Sequence, residues 1–575
     1  MNWGNRLLRL WPWLAAISTG VLCRLCFAPY DQAWLCWIAL IPLLSAVWFS
    51  DREIKRPWLR DLLLGYVAGA IFFWSVFSWL TTVTVPGLVL VGAYMGIYFA
   101  GWACIAGRLR PAPSTPTPEA GLEEVTRQLE AKRTAERGGV DVTAALRDAP
   151  DVDSPWLSSY GNLRLAILLA AAWVTMETIR GILFTGWGWN TLGHALHGQL
   201  LMIQIVDITG VPGLSFLVAL TNVVFLLTAL RFAAETKVRK RRPHFELTLT
   251  MVAIVGVLTY GFRAVQVRQE STSVRVAALQ PNIPREQKFD PDQAEKTFAI
   301  FTRLSQEALQ SKPDLLLWPE SSMPGPVMQD EQSYRFVMDF VATAKVDLLL
   351  GAIDQDEKGA YNAALLVSDG GQHVQLYRKV HLVPFGEYVP GRHTLPGIAR
   401  IVGDQVPDDF GFGTEHTVFK MTRDDVQLAP LICFEDTIGE LTRQFVLGGA
   451  NLLANVTNDG WFLETEASQQ HLNNAIFRCV ETRLPMVRSA NTGVTCLVNE
   501  FGRVTKVFLG ADGRQFTEGV LMGDVRVPID YEPTFYVRHG ELFAKYCAIV
   551  TGVLVLLLAV RAFYGRSRPV RPGAR

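Results

Sequence analysis

The stretch PLICFED, residues 430–436, places Cys433 at the end of an apolar run, with two acids directly behind Phe434. Residues 426–432 are apolar almost throughout, which is typical of a strand buried on both faces. A thiol at the end of such a strand can be a small buried hydrophobe, half of a disulfide, a metal ligand or a nucleophile. The rest of the chain has to decide among these four interpretations.

Similar apolar runs recur between residues 271 and 528, and a helical pattern separates two of them. We predict a helix over residues 292–309 and strands at 274–280, 314–320, 347–353, 362–368, 428–434, 451–458 and 486–491. Strands that lack polar alternation need cover on both faces, from helices or from a second sheet. The sequence therefore predicts an α/β layered domain here.

The rest of the chain has the composition of a membrane protein. Half of the 575 residues are hydrophobic and only 19% are charged. Eight runs reach or approach the roughly 20 residues that cross a bilayer core, namely 11–27, 33–49, 62–83, 88–106, 165–179, 214–230, 247–262 and 542–560. We expect a polytopic helical bundle in residues 1–263, an extramembrane domain in 264–530, and a last membrane helix with a basic tail in 531–575.

The basic residues of the loops predict the orientation of this bundle. They cluster before the first run, at 52–60, at 231–242 and after the last run, whereas the loops at 28–32 and 84–87 have none. Because cytoplasmic loops carry the excess of Lys and Arg, both termini are expected in the cytoplasm and the domain outside. The polar insert at about 107–160 is expected to be a solvated cytoplasmic linker.

Charge and cysteine spacing argue against several classes of partner. The formal net charge is zero, so no overall field attracts nucleic acid. The eight cysteines show neither zinc-ribbon nor thioredoxin-like spacing. We therefore expect no disulfide framework, no metal and no cofactor, which leaves Cys433 as a buried hydrophobe or a nucleophile.

Two further strand ends carry groups that a thiol nucleophile needs. Glu320 closes one predicted strand, and Lys379 and Glu387 lie in a loop punctuated by Pro and Gly. A carboxylate in an apolar pocket can serve as a base, and an ammonium or a backbone N–H, such as that of Phe434, can stabilise an oxyanion. Each residue alone is more often solvated or structural. Together, at strand ends and in this order, they indicate acyl transfer through Cys433.

Longer motifs carry a resemblance to a known family. The strings KVHLVPFGEYVP (379–390), LICFED (431–436), NVTNDGWF (455–462) and RSANTGVT (488–495) resemble bacterial apolipoprotein N-acyltransferases, whose outer domain is of the nitrilase type. FAPY (27–30) and GWGWNTLGH (186–194) extend the resemblance into the bundle. It implies a nitrilase-like α-β-β-α sandwich domain in a polytopic membrane protein of the bacterial inner membrane, with the domain on the periplasmic side.

The resemblance also implies roles for individual residues. Glu320, Lys379 and Cys433 match the family's Glu-Lys-Cys triad, as general base and acid, oxyanion stabiliser and nucleophile. Glu387, Glu435 and Phe434 would support them. The implied pocket for the acyl chain or substrate comprises Phe289, Trp461 and Phe385. Phe289 and Phe434 stand at positions around the thioester where Trp or Tyr is common in the family. No metal site is implied.

The implied reaction has two steps and two lipid partners. The sn-1 acyl chain of a phospholipid, typically phosphatidylethanolamine, passes to Cys433 as a thioester and then to the α-amine of the diacylglyceryl-cysteine of an apolipoprotein. Two alternatives are open. A membrane-tethered amidase of the same superfamily would use water as acceptor, and a transporter-like bundle would use the outer domain only to bind ligand. The spans show no evident inverted repeat or array of charges, which argues against the transporter.

Overall fold

The computed structural model describes residues 3–50, 54–110, 155–238, 243–288, 290–392 and 408–566. Most of the predicted insert at 107–160 lies outside the described residues, and so does Phe289. The described residues form a helical part and a domain built on two sheets. The helical part comes from both ends of the sequence, as the hydropathy predicts.

Long helices make up most of the helical part. Their bounds are Trp3–Leu25, Ile41–Phe49, Pro57–Val76, Val85–Arg108, Pro155–Ile182, Val211–Val238, Phe245–Ala264 and Leu542–Arg566, with the short helices Leu200–Ile203 and Val206–Thr209 between them. Six of the described helices are long and apolar enough to cross a membrane. They overlap the third to eighth predicted spans, which are thereby confirmed by length and composition, although the third predicted span, at 62–83, runs past the end of its helix at Val76.

The first two predicted spans differ from the other six. The first, at 11–27, overlaps Trp3–Leu25 and runs two residues past its end; this helix carries Arg24 in its last turn and is not among the six apolar ones. The second, at 33–49, is a 3-10 turn at Ala33–Trp37 followed by the nine-residue helix Ile41–Phe49. Pro42 stands at the start of that helix, where proline favours a new helix over the continuation of an earlier one.

Two six-stranded sheets form the centre of the domain. In chain order the strands are β1 (Ser271–Gln280), β2 (Leu315–Trp318), β3 (Asp347–Asp356), β4 (Gly359–Ser368), β5 (His373–Arg378), β6 (Phe419–Lys420), β7 (Gln427–Ile432), β8 (Leu452–Thr457), β9 (Met486–Ala490), β10 (Cys496–Val498), β11 (Val504–Val507) and β12 (Gly519–Pro528). The first sheet has the order β12-β1-β2-β3-β4-β5 and the second β11-β10-β9-β8-β7-β6. The parallel sets β1-β2-β3 and β7-β8-β9 lie at the centres of the two sheets.

Apolar side chains fill the space between the sheets and cover their outer faces. Leu317 and Leu366 of the first sheet share one core with Leu431 and Leu453 of the second. Helices Ala294–Leu309 and Glu331–Ala344 pack on the other face of the first sheet, and Gly439–Leu447 and Ala467–Thr482 pack on the second. The domain is therefore an α-β-β-α sandwich, and the predicted fold class is confirmed.

The predicted strands are present, with small shifts in their ends. β2 ends at Trp318 and β7 at Ile432, so Glu320 and Cys433 lie just beyond their strands and not inside them. The helix expected at 292–309 is Ala294–Leu309. Sequence patterns missed β5, β6, β10, β11 and β12. These strands are short, at or near sheet edges, or partly exposed, so they lack the long apolar runs of central strands.

Helix Ala467–Thr482 attaches the domain to the helical part. The amide of Gln470 accepts hydrogen bonds from Trp79 Nε1 and Asn190 Nδ2, both at 3.1 Å, and donates to the carbonyls of Ala28 and Val76, both at 3.1 Å. One buried side chain thus joins three segments of the bundle to the domain. Helix Ala467–Thr482 also packs beside the 433–437 turn and so holds that turn next to the bundle.

Candidate active site

Cys433 occupies a strained turn at the end of β7. Its φ of 52° lies in the left-handed region, which a residue with a side chain rarely adopts and which is common at functional sites. A 3-10 turn, Cys433–Thr437, begins at this residue. Asn455 of the parallel neighbour β8 donates to the carbonyl of Cys433 at 3.1 Å. This hydrogen bond from the neighbouring parallel strand holds the Cys433 backbone at the end of β7.

Glu320 lies two residues beyond β2 and is buried. Its carboxylate accepts a hydrogen bond from Asn362 Nδ2 at 2.7 Å, and its backbone carbonyl accepts one from Lys288 Nζ at 2.6 Å. Gly351 of β3 passes directly beneath it, because a Cβ at Gly351 would stand 2.4 Å from Glu320 Cα. The position of Glu320 therefore depends on a glycine in the neighbouring strand.

Lys379 follows β5 directly and is almost fully buried. Its ammonium pairs with the Glu387 carboxylate at 2.8 Å, and its backbone N–H donates to the Asn362 carbonyl at 2.8 Å. Asn362 Nδ2 also donates to Glu387 Oε1 at 2.6 Å and so bridges Glu387 and Glu320. One asparagine on β4 thus joins the two carboxyl groups predicted from sequence.

Glu435 connects the nucleophile turn to the lysine loop. Its buried carboxylate accepts hydrogen bonds from the backbone N–H groups of Ile432, Val380 and His381 at 2.9, 2.9 and 3.1 Å. It also accepts one from the hydroxyl of Tyr377 at 2.8 Å. The predicted supporting position of Glu435 is therefore a structural link between two sheets, and its role in the reaction stays a prediction.

Burial and mutual charge set the ionisation of the site. Burial raises the pKa of the Cys433 thiol and that of the Glu320 carboxyl, although Lys379 opposes both shifts. Burial would lower the pKa of Lys379, but Glu387, Cys433 and Glu320 raise it above its ordinary value. Burial raises the pKa of Glu435 to about 7. A protonated thiol beside a carboxyl and a firmly charged ammonium is an arrangement for base-assisted nucleophilic attack.

Comparison with known proteins gives matches to two family models. Residues 275–528 match the family model described as carbon-nitrogen hydrolase, and residues 19–120 and 146–224 match the one described as the apolipoprotein N-acyltransferase N-terminal domain. The chain is 33% identical to the apolipoprotein N-acyltransferase of Geobacter metallireducens over 95% of both chains. The chain belongs to the apolipoprotein N-acyltransferase family.

Two further members of the family show the same relationship. The Chlorobaculum tepidum protein is 32% identical over 66% of this chain and 76% of its own, and the Rhodopseudomonas palustris protein is 28% identical over 95% and 96%. Membership makes the chain an acyltransferase with a carbon-nitrogen hydrolase domain, held in a membrane by apolar helices. The resemblance seen in the sequence is thus confirmed at the level of family, fold and enzyme class.

The predicted pocket residues have different surroundings. Phe434 stacks between His381 and Trp189, with ring centroids 5.7 and 5.8 Å away. Phe385 is 47% exposed. Trp461 lies in a short turn, and its backbone carbonyl accepts a hydrogen bond from the hydroxyl of Thr82 in the bundle. The aromatic contacts place Phe434 at the junction of bundle and domain. The pocket roles of Phe385 and Trp461 stay predictions, and Phe289 is outside the described residues.

A second buried polar group supports the nucleophile turn. His471 lies between Asp436 and Asp459, with its ring nitrogens 2.9 and 2.8 Å from their carboxylates. Arg488, fully buried, pairs with both aspartates. Burial and Arg488 would lower the pKa of His471, but the two carboxylates raise it above its ordinary value. Both aspartates thereby have Arg488 and His471 as partners, which makes burial of the group tolerable.

The sequence reasoning missed Asn362, Lys288 and the Arg488 group. Asn362 begins one of the predicted strands as its only amide, a signal that was available. Lys288 directly precedes Phe289, which the resemblance had singled out, yet a lone lysine in a polar stretch gives no sign of burial. The sequence assigns no role to His471, because its carboxylate partners reach it only through the packing of three segments.

Proposed function

We propose that the chain transfers the sn-1 acyl chain of a phospholipid, typically phosphatidylethanolamine, to the α-amine of the diacylglyceryl-cysteine of an apolipoprotein. The observation that carries the proposal is that Asn362 hydrogen-bonds both Glu320 and the Glu387 carboxylate that pairs with Lys379. The Cys433 thiol lies close enough to Glu320 and Lys379 for their charges to act on it. Family membership supports the acyltransferase class. The donor, the acceptor and the thioester are parts of the proposal.

The first half of the reaction loads the cysteine. Glu320 accepts the proton of the Cys433 thiol, and the sulfur attacks the ester carbonyl. Lys379 and the backbone N–H of Phe434 stabilise the oxyanion that forms. When the intermediate collapses, the ester C–O bond breaks and the lysophospholipid oxygen takes the proton from Glu320. A thioester on Cys433 remains.

The second half transfers the chain to nitrogen. The neutral α-amine of the acceptor attacks the thioester carbonyl while Glu320 accepts a proton from that nitrogen. The C–S bond then breaks, an amide is left on the acceptor, and the proton on Glu320 returns to the sulfur. Water must be kept from the thioester, because hydrolysis would convert the enzyme into a phospholipase.

The membrane part has a physical reason in this reaction. Moving a chain of about 16 carbons into water would cost on the order of 10 kcal/mol, at about 0.8 kcal/mol per CH₂. We propose that the bundle of residues 1–263 and the helix in 531–575 hold the catalytic domain, 264–530, at the bilayer surface. The exposed side chains of Phe385 and Leu463 are candidates for contact with lipid.

We also propose a location. Both termini would be cytoplasmic, and the catalytic domain would face the periplasm of the bacterial inner membrane. The basic loops support this orientation. Accessibility of a single introduced surface cysteine at Asp369 to a membrane-impermeant maleimide, in spheroplasts and in inverted vesicles, measures it. Labelling in inverted vesicles alone would overturn it.

The first experiment is the intact mass of the purified protein after incubation with phosphatidylethanolamine and no amine acceptor. We expect a hydroxylamine-labile acyl adduct in the natural protein and none in Cys433→Ala. A second incubation with a diacylglyceryl-cysteine peptide should remove the adduct and yield the N-acyl peptide. Cys547→Ala, which alters a buried cysteine in the helix Leu542–Arg566, is the matched control.

The other outcomes separate the alternatives. If no adduct forms in folded protein with donor lipid in the micelle, phospholipid is not the donor, and the membrane-tethered amidase becomes the better hypothesis. If the adduct forms but is released only to water, the first half of the proposal stands and the amine acceptor is wrong.

A further inference from the structure

Lys288 is a buried cation near the site that the reaction described above does not use. It ends the short helix Arg285–Lys288 and is 3% exposed. Within the described part of the chain its ammonium has one hydrogen-bond acceptor, the Glu320 carbonyl at 2.6 Å, and no carboxylate within ion-pair distance. Burying an ammonium without a carboxylate partner is energetically costly. A residue that only filled space would avoid this cost.

The loop that carries Lys288 is fixed to the end of the second sheet. The backbone N–H of Asn282 donates to the Asn491 carbonyl at 2.8 Å, and that of Ile283 donates to Asn491 Oδ1 at 3.2 Å. Asn491 Nδ2 returns a hydrogen bond to the Ile283 carbonyl at 2.9 Å. These bonds restrain the loop that leads into the helix and its lysine.

The ammonium of Lys288 has different neighbours from the ammonium of Lys379. Lys379 has Glu387 at 2.8 Å, which balances most of its charge. Lys288 interacts electrostatically with Glu320 and Cys433, the two groups that exchange the proton. The negative charge that moves from Glu320 to the sulfur, and on to the oxyanion, therefore stays close to a cation that makes no ion pair at hydrogen-bond distance with any carboxylate among the described side chains.

We propose that Lys288 is a positioning residue of the acyl transfer: it holds Glu320 by its backbone carbonyl and stabilises the negative charge shared by Glu320 and Cys433. The inference rests on the proposed function. Burial lowers the pKa of Lys288 to about 8, so it is largely protonated at neutral pH. A neighbouring cation in turn lowers the pKa of a carboxyl group, which keeps more of Glu320 in its basic form.

Other groups also act on the two reacting residues and must stay unchanged in the test. Glu320 is influenced by Lys379, Glu387, Asn362 and Lys288. Cys433 is influenced by Glu320, Lys379, Asp459 and Thr457. Lys288 can be changed alone, since none of its hydrogen bonds involves these other side chains.

The test is the pH profile of thioester formation in single turnovers with phosphatidylethanolamine, for Lys288→Met and Lys288→Arg. We expect Lys288→Met to move the acidic limb upward by about one pH unit and to slow loading about tenfold at neutral pH. Lys288→Arg should restore the limb. It should also extend the plateau above pH 8, because arginine keeps its charge there. Lys296→Met, at an exposed lysine, is the control.

An unchanged acidic limb in folded Lys288→Met overturns the inference, and so does a slow enzyme whose limb Lys288→Arg fails to restore. If Lys288→Met does not fold, the alkaline limb of Lys288→Arg decides, and a limb identical to that of the natural protein counts against the inference. Absence of a thioester in the natural protein overturns the proposed function, and this inference with it.

Discussion

At the scale of single residues, the site depends on small neighbours that carry no chemistry. Because residue 351 is a glycine, β3 can pass close beneath Glu320. A Cβ at Gly351 would stand 2.4 Å from the Cα of Glu320. Asn362 supplies one NH₂ group to two carboxylates and so fixes their separation. The proposed base is therefore placed by a glycine and an amide, neither of which suggests catalysis when seen alone.

Gly351→Ala should displace Glu320 and slow thioester formation by at least about tenfold, because an added methyl that forces the backbone to move costs about 1–3 kcal/mol. Loading rate and melting temperature are the measurements. Gly198→Ala is the control, since a Cβ there meets nothing within 4 Å. A Gly351→Ala protein that loads as fast as the natural one would show that the close approach has no influence on the base.

At the scale of elements, the turn Cys433–Thr437 is held from two sides. Glu435 fixes it to the residues around Lys379, and Asp436 fixes it to the group of His471, Asp459 and Arg488. Trp189 of the bundle donates from Nε1 to Thr437 Oγ1 at 3.2 Å and stacks on Phe434. The strained backbone of Cys433 is thus supported by hydrogen bonds and by aromatic packing on both sides.

Arg488→Met should destabilise the domain by about 3–5 kcal/mol, because two buried aspartates lose a cation. The melting temperature measures this loss. Arg303→Met, which breaks an exposed ion pair with Glu518, should change it little.

The same group gives a pH dependence to the stability of the natural protein. His471 and Arg488 hold the folded-state pKa of Asp459 below its ordinary value, even though burial opposes them. Asp459 therefore stabilises the fold above the unfolded pKa of about 3.9 and loses this contribution as pH falls through the lower folded value. The raised pKa of His471 acts in the opposite sense, since its contribution is complete below about 6.5 and is lost as pH rises through the folded value. A melting temperature of Arg488→Met equal to that of the natural protein at neutral pH would contradict the stabilising role of Arg488 in this group.

At the scale of the whole molecule, the domain is joined to the bundle by buried polar contacts. Arg483, just beyond helix Ala467–Thr482, donates to Asp207 Oδ2 at 2.7 Å and to the Gln204 carbonyl at 3.1 Å. Tyr260 donates its hydroxyl to both carboxylate oxygens of Asp207. These contacts and those of Gln470 fix the distance between the site and the apolar helices. The proposed lipid donor would reach the site across this distance.

Asp207→Asn should lower the melting temperature and slow loading from phospholipid, since the hydrogen bonds of a buried arginine to a charged group are worth about 1.5–3 kcal/mol each. Loading from a short-chain water-soluble thioester should be much less affected, because that donor needs no membrane. Asp524→Asn, at an exposed ion pair with Arg275, is the control. Equal losses with both donors would mean that the junction acts on the site itself and not on access from the bilayer.

The sequence alone determined the family, the enzyme class and the layers. Apolar runs of two lengths separated membrane helices from central strands, because burial on all sides requires continuous apolar sequence. Motifs at strand ends predicted Glu320, Lys379, Glu387, Cys433 and Glu435 as site residues. Only the tertiary structure decided how these residues meet. Several features depend on segments far apart in the chain: the edge strands, the first two spans, the amide of Asn362, the buried ammonium of Lys288 and the contact of Trp189 with Phe434. Local sequence patterns report the burial of a segment but not its partner, so these contacts leave no mark in them.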